Sequence, residues 1–166
     1  MTETSFCFAS TKVIDRSIGT EVLDRGLPLD FFDKEKQPSV WVAPFWLAYP
    51  EGVEDSITAT ELTTKLQEKN IRAEVLPETG ESHLDAVSFD ILTVFVLELV
   101  VLPVVLNLLS SLIYDKLRRR KPNLKVVLNI KKGNNYVKIE ITGDADKVVE
   151  SLKGFSAKVQ EKKDVE

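Results

Sequence analysis

Hydrophobic and polar positions alternate in three registers along this chain, and each predicts a different element. Near the N-terminus, SFCFAS and TKVI read as short strands, and Gly19, Gly26 and Pro28 mark loops. PSVWVAPFWLAYP, residues 38–50, is rich in aromatic and β-branched residues and predicts a buried strand broken at Pro44. EGVEDS reads as a loop. Thr58 or Thr60 would then cap a helix running to about Asn70, with Leu62 and Leu66 on one face. IRAEVL, residues 71–76, follows as a strand, and PETGESH, residues 77–83, is a polar loop.

The C-terminal pattern is sharper. KVVLNI (125–130) and YVKIEI (136–141) alternate with period two around KGNN, which predicts a hairpin. Val126, Leu128 and Ile130 would share a face with Val137, Ile139 and Ile141. Lys125, Asn129, Lys138 and Glu140 would take the other face. Asp144 suits the N-cap of a helix bearing Val148, Leu152 and Phe155, which would cover the hairpin's apolar face. The tail therefore reads as a ββα unit. Two strands and a helix bury little alone, so the unit needs further strands or a partner chain.

Between these regions lies ILTVFVLELVVLPVVLNLLSSLIY, Ile91 to Tyr114, with no Lys or Arg. Read as one helix, its 24 residues would reach about 36 Å, against a hydrocarbon core of roughly 30 Å. Mean hydropathy over 91–109 is about 2.6, a membrane-span score. Thr93, Glu98 and Asn107 form no continuous polar stripe, and a helix apolar all round lies in lipid or deep in a core. The membrane or interface face of this helix would carry Ile91, Val94, Leu99, Leu102, Leu106, Leu109 and Ile113. Glu98 would make a polar contact within the membrane or point to a polar neighbour from a core helix. Pro103 would kink or end the helix.

Charge sharpens the placement. The whole chain has a formal net charge of −4, which disfavours general nucleic-acid binding. No Lys or Arg occurs from Ala73 to Asp90, whereas Lys116 to Lys132 carries eight basic residues and no acidic one. Lys116, Arg118, Arg119, Arg120 and Lys121 form a run that suits either an anionic lipid surface or the C-terminal end of a helix, stopped by Pro122. By the positive-inside rule the run would hold the C-terminal region in the cytoplasm. That topology sends residues 1–90 outward behind an N-terminus that lacks the pattern of a signal peptide. An in-plane helix, or a cytoplasmic soluble protein with the helix in its core, avoids the conflict.

Catalytic chemistry finds little purchase. His83 is the only histidine and sits in a polar loop near Glu81 and Asp85, without the second His or Cys that a metal site needs. Cys7 is the only cysteine, which excludes an internal disulfide, and it reads as a buried strand residue between Phe6 and Phe8. Neither a dinucleotide-binding nor a P-loop glycine pattern occurs. Glu78, Glu81, Asp144 and Asp146 read as solvated or capping carboxylates. The expectation is a protein without catalytic residues, cofactor or metal.

Residues 61–155 resemble the effector-associated constant component proteins of bacterial conflict and defence systems. In that family a helix and strand precede an Asp-Val/Ile-Leu/Val-Thr-Val start to an apolar segment. The segment ends in a Trp-Leu-Arg-x-Arg-Arg-like run, and a two-stranded hairpin and short helix close the chain. Asp90, Ile91, Leu92, Thr93 and Val94 match the start, and Leu112, Leu117, Arg118, Arg119 and Arg120 match the end. The family segment is rich in Gly and Ala, whereas here it is rich in Leu and Val and carries Glu98 and Pro103. The resemblance implies a non-enzymatic partner that accompanies a separate effector, and it brings no catalytic residue with it.

The expected fold is α+β: a small mixed sheet, a long central apolar helix, transmembrane or in-plane, and a closing ββα unit. The segments are an N-terminal α/β region (1–88), the helix with its basic end (89–121) and the ββα unit (122–166). The expected role is a membrane-associated adaptor or assembly component with partners in self-association, a separate effector and an anionic membrane surface, and none in nucleic acid. The alternative is a soluble oligomeric interaction module with the apolar helix in its core or subunit interface.

Overall fold

The structure, a computed structural model, describes residues 2–5, 10–16, 37–47, 53–76, 89–117, 123–132 and 135–165. Its nine described strands are β1 (Thr2–Ser5), β2 (Ser10–Arg16), β3 (Val40–Val42), β4 (Phe45–Leu47), β5 (Val53–Asp55), β6 (Ala73–Val75), β7 (Phe89–Val96), β8 (Asn123–Lys132) and β9 (Asn135–Gly143). They form one mixed sheet in the order β1-β2-β9-β8-β7-β3-β6, with β4 pairing β7 and β5 pairing β4. Helix α1 is Ser56–Glu68 and helix α3 is Ala145–Val165. Helix α2 is Leu102–Leu112, entered through a 3-10 turn at Leu99–Val101 and continued by a π turn at Ile113–Leu117.

The apolar run is not a single helix. Its first part is strand β7, and only Leu99 to Leu117 is helical. β7 is central, antiparallel to β3 and parallel to β8 along its whole length, from Phe89↔Asn123 to Val96↔Ile130. α2 is the crossover that parallel neighbours require. A strand of this kind is buried on both faces and reads as an unbroken apolar run. Leu92, Val94 and Val96 enter the main core, while Phe95, fully buried, joins Ala43 and Leu76 in a smaller one. Ile91 and Val94 thus belong to a strand, against the helical placement expected of them. Pro103 corrects a second expectation. It stands in the first turn of α2 and starts the helix instead of kinking it. A proline there loses no intrahelical bond, and its fixed φ suits the first turn.

The three helices share the main core with β3, β4, β7, β8 and β9. α2 lies against both α1 and α3. Its inner side is Leu102, Val105, Leu106, Leu109, Leu112, Ile113 and Leu117, all buried, and each fully buried Leu stabilises by about 1.5–3 kcal/mol. The outer ridge, Asn107, Ser111 and Tyr114, is exposed. Ser110 is buried but satisfied, donating to the Leu106 carbonyl at 2.9 Å.

The tail agrees with its pattern. Val126↔Ile141, Leu128↔Ile139 and Ile130↔Val137 are register partners, and Val148, Leu152 and Phe155 pack in the same core. The Asp144 Oδ1 accepts the Lys147 N–H at 3.0 Å, which caps α3. β2 pairs with β9, so the N-terminal strands join this hairpin and the sheet runs through all three segments expected above. Two boundaries differ. α1 begins at Ser56, ahead of Thr58 and Thr60, and EGVEDS contains β5 instead of being all loop.

Candidate interaction site

The site begins where three chain segments converge at one end of the sheet. α1 ends when Asn70 takes φ 63, in the left-handed region. The Ile71 N–H then donates to the Leu66 carbonyl at 3.1 Å and the Asn70 N–H to the Gln67 carbonyl at 3.0 Å. Ile71 and Leu66 are both buried, which supplies the apolar contact of this helix stop. The chain emerges at Arg72. Its carbonyl accepts the Ser39 N–H at 2.8 Å, and the Ser39 carbonyl accepts the Leu97 N–H at 2.8 Å. The main chain of Ser39 thereby holds the entry to β6 and the exit from β7 side by side.

Across that bridge the exposed side chains of Arg72 and Glu98 approach to 3.7 Å. Leu99 and Val100 follow directly, 46% and 60% exposed. They are two of the four large exposed apolar side chains among the described residues, the others being Ile57 and Tyr114. Arg72 also lines a groove of about 490 Å³, together with Pro38, Gln67, Asn70, Ile71, Ala73 and Glu74. The Gln67 Nε2 donates to the Ala73 carbonyl at 3.0 Å, so the outward main chain of β6 is covered at that point. Such a corner can bind a surface that brings an apolar patch and both signs of charge.

The residues expected to form one face of a helix are divided. Leu102, Leu106, Leu109 and Ile113 are buried within the chain's own core, Leu99 is at the exposed corner, and Ile91 and Val94 are in β7. Glu98 is not inside an apolar helix. It is the N-cap residue of the 3-10 turn, in an extended conformation (φ −129, ψ 117), half exposed and beside Arg72. Leu99–Leu117 is still long and apolar enough to cross a membrane by length and composition, with mean hydropathy 1.6, yet 44% of its apolar window is buried inside the protein. Lys116 forms an ion pair with Glu61, which also faces Lys65 at 3.9 Å. Arg118, Arg119, Arg120 and Lys121 lie outside the described residues, as do Cys7, Glu78, Glu81 and His83. Among the described residues no group of three or more His, Cys, Asp or Glu side chains could hold a metal ion.

The sheet face opposite the main core carries a polar band. Glu140 approaches Lys138 at 3.5 Å and Lys125 at 3.7 Å. Asn129, between Phe95 and Lys138 in register, is 3% exposed and its Nδ2 has no hydrogen-bond partner.

Sequence reasoning did not find Arg72, Val100 or the groove. The only available signal was Asn70 between a helical pattern and Ile71, which marks a left-handed helix stop. Nothing in an apolar run distinguishes Val100, which reaches solvent, from Val105, which does not.

No protein-family model, curated protein or solved structure matches this chain.

Proposed function

We propose that this protein is a non-enzymatic interaction module, an assembly component that keeps its apolar helix in its own core and presents the Arg72/Glu98 corner to another protein chain. The observation that carries this reading is the contrast along one helix. Leu102 to Leu117 bury an apolar side in the core shared with the sheet and the flanking helices, while Leu99 and Val100 expose theirs next in the chain to Glu98, whose partner Arg72 lines an open groove. Exposed apolar side chains that adjoin a groove and carry polar groups at the rim are a common form of protein docking surface.

Two facts weigh against membrane insertion as the reason for the apolar run. Residues 89–96 pair with strands on both sides, so they are not available to a span. Withdrawing α2 into lipid would take Leu102, Val105, Leu106, Leu109 and Leu112 out of the core they share with Leu92, Val94, Val126 and Leu128, and apolar surface so exposed costs about 25 cal/mol per Å². The resemblance in residues 61–155 supports a separate effector as one such partner. Its opening motif, Asp90 to Val94, is the body of β7 and not a helix start.

Photo-crosslinking in cells tests the reading. A photoreactive residue in place of Val100 should give adducts with a protein chain, and the same residue in place of Asn107, on the outer ridge of α2, should give fewer. Adducts with lipid alone at Val100, or none to protein, would refute the proposal.

A further inference from the structure

We draw no further inference here: the strongest candidate, the exposed apolar patch of Leu99 and Val100 at the end of the sheet where Arg72 pairs with Glu98 and shares a groove with Glu74, has mixed charges that select no one partner, and nothing in the structure shows what covers it.

Discussion

Val94 of β7 and Leu128 of β8 are register partners in a parallel strand pair, and both are fully buried in the core they share with the helix that connects their strands. That relationship makes the apolar run one half of a β-α-β crossover. It predicts a sharp sidedness in α2. Leu109→Ala should lower stability by about 2–5 kcal/mol, because it opens a cavity in the core. Asn107→Ala, on the outer ridge, should change stability by about 0.5 kcal/mol or less. Urea unfolding of the two variants checks this, and equal effects would remove the case for a core helix.

Asn129 offers a different check. Its Nδ2 is buried on the second sheet face without a hydrogen-bond partner, and an unsatisfied buried donor costs about 1–3 kcal/mol. Asn129→Leu should leave thermal stability unchanged or raise it. A loss of more than about 1 kcal/mol would mean that the amide makes a bond worth keeping.

Gly154 lies exposed within α3, and a Cβ built on it meets nothing within 4 Å. Glycine inside a helix is less stable than alanine by about 0.5–1 kcal/mol, mainly through backbone entropy. Gly154→Ala should raise the melting temperature by about 2–4 °C per kcal/mol gained. No rise would imply that α3 is frayed at that point.

Much of this architecture was legible from period and punctuation. The hairpin, the Asp144 cap and the Leu62/Leu66 face were readable because each rests on local spacing. The break at Pro44 was readable for the same reason, and it separates β3 from β4. The apolar run was misread because a strand buried on both faces and a helix buried on one side are equally apolar in composition. Two residues held the answer. Glu98 interrupts the run where the chain turns, and Pro103 follows it at the spacing of a first helical turn. In a single helix both would be defects, whereas together they mark the boundary between two elements. The docking corner was not legible. Ser39, Arg72 and Glu98 come from distant parts of the sequence and are brought together by the main-chain bonds of Ser39 to Arg72 and Leu97 and by the Arg72–Glu98 ion pair.

The basic run has its own expectation. Arg118, Arg119 and Arg120 follow in the sequence directly on Leu117, the last described residue of the helical segment. Each basic residue near an anionic leaflet contributes about 1 kcal/mol, and the effect is screened by salt. Changing all three to Ser should weaken co-sedimentation with vesicles containing phosphatidylserine at low salt. Unchanged binding would limit the run to ending the helix.

The central claim, that the apolar run from Ile91 to Tyr114 is divided between a core strand and a core helix, is tested most directly by membrane fractionation of the full chain with a carbonate wash. The account predicts protein in the soluble fraction, or released from membranes by the wash if the basic run holds it at an anionic surface. Protein that stays in the washed pellet and is extracted only by detergent would contradict it, because the helix would then be in lipid and not in the core that holds Val94 and Leu128.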